Sequence, residues 1–290
     1  MSRQVVTTLP NGYWEGGALW REAHLRELTG RDHLFLMEQC HELRPAHWTT
    51  ELLARCVIRL GSKEATRDSV RSLTVGDREA LLLQLRRLTL GDRMSCVISC
   101  PECHEKLDLE IDVANILQPP DNAPVREHEL TLGCESGDST IVRFRLPQGI
   151  DQETVASLAL TDVKTAADLL LRRCIISVTN NGEVTDELPA SLHECLATRM
   201  AELDSQAEIN VLANCEACGG SFSVVFDAAM FLFQELEAEF QRLYREIHLL
   251  AFHYHWSPTD ILNLSRRERR RFLELLDHEL SKELVHEQLY

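Results

Sequence analysis

Two Cys-x-x-Cys pairs carry the residue types and spacing most able to do chemistry: Cys100-Pro-Glu-Cys103 and Cys215-Glu-Ala-Cys218. Each pair lies between two stretches of strand-like sequence, which predicts that each occupies the tight turn of a hairpin. Two cysteines separated by two residues direct both sulfurs into one turn, and two such turns supply the four sulfurs of a tetrahedral zinc site. The pattern therefore predicts one structural Zn²⁺ held by Cys100, Cys103, Cys215 and Cys218.

The spacing between the two pairs is unusually long. Zinc ribbons commonly separate their cysteine pairs by about 15 to 20 residues, whereas residues 104–214 intervene here. A whole lobe must therefore be inserted between the two hairpins. Because the entropy of closing a loop grows slowly with its length, this insertion does not exclude a shared site.

Three other uses of these four cysteines stay open. A thioredoxin-like redox pair is expected at the start of a helix, not within a hairpin. Disulfides are disfavoured because the N-terminal sequence does not resemble a secretory signal. Iron–sulfur ligation suits four cysteines but is less common in hairpin tips.

The remaining cysteines occur singly, several of them among apolar residues, and are predicted to be small buried side chains. They are Cys40, Cys56, Cys96, Cys134, Cys174 and Cys195. His104 follows Cys103 directly, but four cysteines already complete the site. We therefore expect His104 to be a solvated turn residue.

Composition argues for a soluble intracellular protein and against nucleic-acid binding as the main task. No apolar run approaches the roughly 20 residues that span a bilayer. The chain has 30 basic and 46 acidic residues, and its net charge of −16 repels phosphate backbones. Zinc ribbons often bind nucleic acid, but the segments around both cysteine pairs are themselves mainly acidic.

Hydrophobic periodicity predicts an α+β fold that is mainly helical, in which two β-hairpin knuckles form a four-cysteine zinc ribbon around a long inserted α+β lobe. The predicted parts are an N-terminal arm and helical domain (1–93), a split zinc ribbon (94–118 and 206–226), the inserted lobe (119–205) and a C-terminal helical region (227–290).

Capping and turn signals place the individual elements. Helices are predicted at Asp32–Leu43, Thr49–Leu60, Thr74–Thr89, Asp151–Leu160, Asp162–Cys174, Pro189–Glu202, Asp227–His255 and Ser265–Leu284. Strands are predicted in the inserted lobe at Glu129–Leu132 and Thr140–Leu146, and Asn180-Asn-Gly182 is predicted to be a turn between two helices. A Gly-Asp-Arg tripeptide occurs at 76–78 and again at 91–93, and both copies are interpreted as helix boundaries.

Aromatic residues mark two candidate partner surfaces. Tyr13, Trp14 and Trp20 lie in a Gly-rich stretch after an extended N-terminal arm, where they either bind a partner or fold back onto the leucine-rich helices. The helix predicted at 227–255 carries a strongly aromatic face, which is interpreted as core in preference to a partner surface.

Other clusters carry weaker signals. His253 and His255 point in different directions on a helix and cannot chelate one ion together. The arginine run at 266–271 is typical of a solvated helix face. No catalytic motif is recognisable, which argues against an enzyme and against a small-molecule substrate.

Several segments resemble a known family. The stretch from Leu9 to Asp32, with Leu-Pro-Asn-Gly-Tyr-Trp near its start and Leu-Thr-Gly-Arg-Asp at its end, is similar to the N-terminal signature of baseplate hub assembly proteins of T-even phages, which also occur with contractile injection systems. The segments 73–83 and 88–93 and the pattern that begins at Trp256 strengthen this resemblance.

The resemblance implies a non-enzymatic assembly chaperone, or a minor component of the baseplate, that binds hub or spike proteins and no membrane. Such a protein acts in the cytoplasm of the producing cell, and its retention in the finished particle is left open. Members of the family need not carry both cysteine pairs. The alternative is a zinc-ribbon regulator or nucleic-acid-binding protein, whose binding would weaken steeply with salt.

Overall fold

The computed structural model describes residues 3–39, 42–120, 123–133, 139–180, 183–185 and 188–287. The predicted α+β class is confirmed, since helices alternate with several small antiparallel sheets. Among the described residues, no helix is both long enough and apolar enough to cross a lipid bilayer.

The chain begins with a module of four strands and two helices. Its elements are β1 (Gln4–Glu15), β2 (Ala18–Arg26), α1 (Gly30–Gln39), α2 (Pro45–Cys56), β3 (Val57–Leu60) and β4 (Lys63–Glu64). The strands form one antiparallel sheet in the order β1-β2-β3-β4, with the helix pair inserted between the second and third strands.

A helical segment then leads to the first cysteine hairpin. Its elements are α3 (Arg67–Arg71), α4 (Val75–Leu90), β5 (Arg93–Ser99), β6 (Lys106–Asp112) and α5 (Val113–Ile116). The boundaries of α4 follow from its caps, because the Thr74 side chain accepts a hydrogen bond at the N-terminus and Gly91, with a φ of 109°, ends the helix. The first Gly-Asp-Arg tripeptide starts within α4, and the second follows it.

A second module of strands and helices comes next. Its elements are β7 (His128–Gly133), β8 (Ser139–Phe144), α6 (Gly149–Val155), a short 3₁₀ helix (Leu158–Leu160), α7 (Val163–Cys174), β9 (Ile175–Asn180) and β10 (Glu183–Thr185). Its strands form a second antiparallel sheet in the order β10-β9-β8-β7.

The second cysteine hairpin and the C-terminal helices complete the fold. These elements are a 3₁₀ helix (Ala190–Leu192), α8 (His193–Leu203), β11 (Ile209–Asn214), β12 (Ser221–Phe226), α9 (Ala228–Tyr254), α10 (Pro258–Leu262) and α11 (Arg266–Glu287). The C-terminal helices predicted at 227–255 and 265–284 are therefore present with closely similar bounds.

The two modules repeat one architecture. In each, a hairpin is followed by two helices and a second hairpin, and a helix then leads to a cysteine hairpin. The register shift between the second and third strands also recurs, next to Leu25 in the first module and next to Phe144 in the second. This internal repeat was not recognised in the sequence.

Both modules have an arginine–aspartate ion pair where the second strand ends and the first helix begins. Arg26 binds Asp32 through two hydrogen bonds of 2.6 and 3.0 Å, and Arg145 binds Asp151 with the same two distances. In both modules the carboxylate also accepts hydrogen bonds from the backbone and so caps the following helix. Equivalent residues therefore do equivalent work in the two halves of the chain.

Buried side chains form two clusters. The larger one joins the first module, α4, both cysteine hairpins and the start of α9, and it includes Leu9, Leu81, Ile111, Ile209 and Leu232. The smaller one lies within the second module and α8, around Phe144 and Leu196. The division of the chain into four parts that the sequence predicts stays a prediction.

Two predicted elements are wrong. The helix predicted at Thr49–Leu60 ends at Cys56, because the residues from Val57 to Leu60 pair with β2 as a strand. The turn predicted between two helices instead joins two strands, since Asn180 pairs with Glu183. Residues 181 and 182 of that turn lie outside the described residues.

Several smaller expectations are corrected. The predicted extended arm and the Gly-rich stretch after it form, from Gln4 onward, one long hairpin of β1 and β2, whose inner residues belong to the core. The helix predicted at Asp151–Leu160 breaks after Val155 and resumes as a 3₁₀ turn. Of the single cysteines, Cys195 is exposed instead of buried, and Cys40 and Cys134 lie outside the described residues.

Candidate metal centre

The first cysteine pair occupies the tip of the β5–β6 hairpin. The strands pair up to Ser99 and Lys106. Beyond them the N–H of Cys100 donates to the carbonyl of Glu105 at 2.9 Å, and the N–H of His104 donates to the carbonyl of Cys100 at 3.0 Å. The turn is closed by His104 in the left-handed region, with a φ of 62°.

The second pair forms the same turn at the tip of β11–β12. The N–H of Cys215 donates to the carbonyl of Gly220 at 2.8 Å, and the N–H of Gly219 donates to the carbonyl of Cys215 at 2.8 Å. Gly219 has a φ of 75° and takes the position that His104 holds in the first turn. His104 is therefore an exposed turn residue, as the sequence predicts, and contributes a backbone conformation.

The two tips meet, and their four sulfurs form one compact group. All four lie within 4.8 Å of one another. The sulfurs of Cys103 and Cys215 lie 3.5 Å apart, and those of Cys100 and Cys218 lie 3.7 Å apart. Zn–S bonds of about 2.3 Å in a tetrahedron place sulfurs about 3.8 Å apart, so the group has the dimensions that a zinc ion requires.

Each cysteine pair has an inner and an outer sulfur. Cys100 and Cys215 are buried at the base of the tips, whereas Cys103 and Cys218 are exposed. The backbone N–H groups of Cys103 and Glu102 lower the pKa of the Cys100 thiol to about 7. One thiolate therefore forms readily near neutral pH.

The pKa values of the two exposed thiols, Cys103 and Cys218, are raised. The N–H of Gly220 favours the Cys218 thiolate, but contact with the other sulfurs, that of Cys215 first, outweighs it and raises the pKa of Cys218 to about 12. Close sulfurs repel one another once ionised. A divalent cation removes that repulsion, which is why zinc binding and loss of the thiol protons are coupled.

Two residues that the sequence did not indicate, Glu102 and Gly220, lie where the tips meet. A Cβ atom on Gly220 would lie 2.9 Å from Glu102 Oε2 and 3.4 Å from Cys218 Sγ. Glu102 Oε2 is itself 3.8 Å from Cys218 Sγ. A side chain at position 220 would therefore have to displace the exposed Glu102 carboxylate.

The hairpins are positioned by the large core below the tips. Inward-facing residues of both hairpins, including Met94, Ile111, Ile209 and Ala213, are buried. A cavity of about 170 Å³ remains between the two hairpins and the first turns of α9. The fold therefore holds both tips from the same side, although residues 104–214 separate the two pairs along the chain.

The three aromatic residues predicted to bind a partner lie on the first hairpin. Tyr13 pairs with Trp20 across it, and Tyr13 is buried in the core. Trp20 is half-buried against Gly61, where a Cβ atom would lie 2.5 Å from the indole ring. Trp14 is half-buried and lines a surface cavity of about 270 Å³. Binding of a partner by these residues stays a prediction.

A buried polar cluster at the N-terminus of α4 was not foreseen. Asp77 is fully buried and accepts hydrogen bonds from the N–H groups of Asn11 and Gly12. The Asn11 amide donates to Asp204 at 2.8 Å, and Asp204 accepts from the N–H of Gly76 at 2.9 Å. Burial, together with the nearby Asp204 carboxylate, raises the pKa of Asp77 to about 7.

Comparison with known proteins assigns the chain to a family. The T4 bacteriophage base plate protein family matches residues 2–234, which is most of the sequence. The chain belongs to this family. The match includes both cysteine hairpins and the first turns of α9, so the candidate metal centre lies within the matched residues.

No curated protein and no solved structure matches the chain significantly. The resemblance to phage baseplate proteins seen in the sequence is confirmed by the family match. Among the described residues, the four cysteines are the single group of metal-ligating side chains close enough to hold an ion.

Proposed function

We propose that this protein is a non-enzymatic assembly chaperone, or a minor component, for the baseplate hub or spike of a contractile phage tail or injection system. The observation that carries the proposal is the family match over residues 2–234. The protein acts by binding hub or spike proteins in the cytoplasm of the producing cell.

The four cysteines support this function by holding one structural Zn²⁺. A catalytic zinc site keeps one coordination position open for water or substrate, whereas four cysteine sulfurs close a tetrahedral site completely. The proposed ion therefore cross-links the two hairpins. Its binding free energy contributes to folding.

The proposed partner surface includes the first hairpin at Trp14. This side chain borders a surface cavity together with Val125 and Arg126, at the contact between the first hairpin and the second module. A half-buried tryptophan beside a cavity offers a large apolar contact at little entropic cost. Tyr13 and Trp20 would support that surface from within the hairpin.

Mass spectrometry tests the function directly. An affinity-tagged chain is expressed in cells that produce the particles, and its complexes are compared with purified finished particles. A chaperone is expected with hub or spike proteins before assembly and missing from finished particles, whereas a component is expected in both. Failure to recover hub or spike proteins from either sample would contradict the proposal.

Two controls sharpen this experiment. Trp14→Ala is expected to weaken recovery of the hub or spike protein, while Leu212→Ala, at an exposed apolar residue on the second cysteine hairpin, leaves it unchanged. Apolar contacts persist as salt is raised, whereas a nucleic-acid complex dissociates steeply. Salt-sensitive recovery of nucleic acid in place of protein would favour the regulatory alternative.

A further inference from the structure

The first half of β1 is an open sheet edge. β1 is the outermost strand of its sheet, and within the described residues β2 is its strand neighbour. Residues 4–8 read Gln-Val-Val-Thr-Thr, with no charge and no proline. The Val6 side chain is 53% exposed, and Gln4 and Thr8 are exposed on either side of it.

Two hydrogen bonds establish which backbone groups point outward. Glu27 N donates to Arg3 O, so residues 3, 5 and 7 bond to β2. Glu22 of β2 lies opposite Thr8, and its carbonyl accepts a hydrogen bond from the N–H of Gly61. The backbone of Glu22 therefore bonds toward β3 and not toward Thr8. Because bonding alternates along an antiparallel strand, Gln4, Val6 and Thr8 direct their N–H and C=O groups to the open edge.

Two other sheet edges in this chain are protected. β4 is two residues long and both are charged, Lys63 and Glu64. In the second module, β7 is the edge strand that corresponds to β1. Val6 of β1 pairs with His24, and the corresponding pair in the second module is Glu129 with Arg143. The position of Val6 is therefore occupied by a charged residue, Glu129, in β7. Charged residues and short strands are the usual means of preventing edge-to-edge pairing. The first module lacks both at the equivalent edge.

We propose that β1 pairs with β1 of a second copy of this chain, antiparallel and centred on Val6. The outward-facing residues are self-complementary about Val6, since Gln4 meets Thr8 of the second copy and Val6 meets Val6. Three such pairs exchange about six backbone hydrogen bonds. The two four-stranded sheets then form one continuous sheet with a two-fold axis, as an isologous dimer requires.

Side chains on the exposed face suit this pairing. Within each copy, Thr8 of β1 pairs with Glu22 of β2, and Gln4 of β1 pairs with Arg26 of β2. The two outer rows across the dimer therefore run from Glu22 of one copy to Arg26 of the other, and the central row runs from His24 through the two Val6 residues to His24 of the other copy. No like charges are directly opposed across the new contact. The contact is small, so the dimer depends on concentration, with a dissociation constant on the order of micromolar.

The mass of the protein in solution tests the proposal. Light scattering across a concentration series is expected to show the wild-type chain at twice 33.1 kDa at high concentration. Val6→Glu introduces the residue that β7 has at the corresponding position, Glu129. Because the substitution places two carboxylates directly opposite each other in the dimer, it should raise the dissociation constant at least about tenfold. Val97→Glu is the matched control, because Val97 is an exposed valine on the β5–β6 hairpin.

Disulfide trapping tests the register independently of any loss of folding. In a Cys195→Ser background, Val6→Cys places two thiols on Cα atoms about 5.5 Å apart, within disulfide range. Thr8→Cys alone places them about 14 Å apart and should not cross-link. Mixing Thr8→Cys with Gln4→Cys should restore a cross-linked dimer.

The proposal is overturned by a wild-type chain that stays monomeric at its highest soluble concentration. Equal cross-linking of Val6→Cys and Thr8→Cys would also overturn it, because random collisions then explain the dimer. Loss of dimer in Val97→Glu as in Val6→Glu would place the contact elsewhere on the molecule.

Discussion

At the scale of single residues, the four-cysteine cluster depends on backbone conformation as much as on sulfur. Each Cys-x-x-Cys turn ends in a residue with positive φ, His104 in one and Gly219 in the other. That conformation bends the chain so that both sulfurs of a pair point to the same side. Glycine adopts it freely, whereas an L-residue such as histidine pays about 1–2 kcal/mol.

Removal of one sulfur should empty the site and loosen both hairpins. Cys100→Ser removes a buried ligand of the proposed zinc ion, so zinc bound per chain is expected to fall well below one and the hairpins to lose hydrogen-exchange protection. Metal content by mass spectrometry and hydrogen exchange by residue are the measurements.

Cys195→Ser is the matched control, because Cys195 is exposed and lies on α8, outside the four-sulfur cluster. It should bind zinc as the wild type does. Full zinc content in a Cys100→Ser, Cys215→Ser double variant would rule out the four-cysteine site. Stoichiometric iron with zinc missing would favour an iron–sulfur cluster.

At the scale of elements, two similar backbone contacts, here called joints, connect the start of one helix to the start of another. Thr29 bridges Ser265 where α1 meets α11, and Thr74 bridges Gln148 where α4 meets α6. In each joint a backbone N–H at one helix start donates to a carbonyl before the other helix. Orphan N–H groups at helix starts are thereby satisfied by tertiary contacts as well as by side-chain caps.

A buried arginine underlies a glycine in both joints. Arg78 packs under Gly149, the first residue of α6, and Arg269 packs under Gly30, the first residue of α1. The Arg78 guanidinium donates to Thr50 Oγ1 at 3.0 Å and to the carbonyl of Val70 at 3.1 Å. Its position is therefore held, and only glycine leaves room for it.

These joints predict unequal costs for two matched substitutions. A Cβ on Gly149 would lie 2.2 Å from Arg78 Nη1, whereas a Cβ on Gly30 would lie 3.0 Å from Arg269 Nη1. Gly149→Ala is expected to lower the free energy of unfolding by about 1–3 kcal/mol, and Gly30→Ala by less. Chemical denaturation measures both, and equal losses would show that Arg78 relaxes without cost.

At the scale of the whole molecule, three distant segments meet at the start of α4. Asp77 binds the backbone of the first hairpin at Asn11, Asn11 binds Asp204 at the end of α8, and Asp204 binds Gly76. A Cβ on Gly76 would lie 1.8 Å from Asp204 Oδ1, so glycine is required there. The first Gly-Asp-Arg tripeptide is therefore a tertiary contact as well as a helix boundary.

This cluster predicts that stability falls as pH rises. Because burial raises the folded-state pKa of Asp77 to about 7, its contribution is complete below about pH 4 and is lost as pH rises to 7. The slope is at most about 1.4 kcal/mol per pH unit. Glu79, whose pKa burial raises to about 8, adds a fall in the same direction.

Urea denaturation between pH 5 and 8 measures the effect. Asp77→Asn keeps the acceptor for the Asn11 N–H and removes the titration, so its unfolding free energy should depend less on pH than that of the wild type. Asp108→Asn, at an exposed residue of β6, is the control. Burial raises the pKa values of Asp32 and Asp151, but their arginine partners outweigh burial and lower both values. These two carboxylates therefore contribute stability that is lost as pH falls, at lower pH than the effect of Asp77. Unchanged pH dependence in Asp77→Asn would contradict the assignment.

Local signals in the sequence determined much of this protein. Short-range chemistry decides where a helix is capped and where a Cys-x-x-Cys turn forms, so the four cysteines, α4 and the C-terminal helices could be predicted from residues a few positions apart. The N-terminal segment similarly carried the family resemblance, which the family match confirms.

Contacts between distant residues were decided by the tertiary structure. Val57 and Ile58 follow a helix without a break in the apolar pattern, and only pairing with β2 makes them a strand. Asp77 and Arg78 look like ordinary charged residues of a helix start, yet they are buried because the first hairpin, α8 and the second module close over them. Their burial depends on which segments meet in space, and single-sequence periodicity contains no information about that.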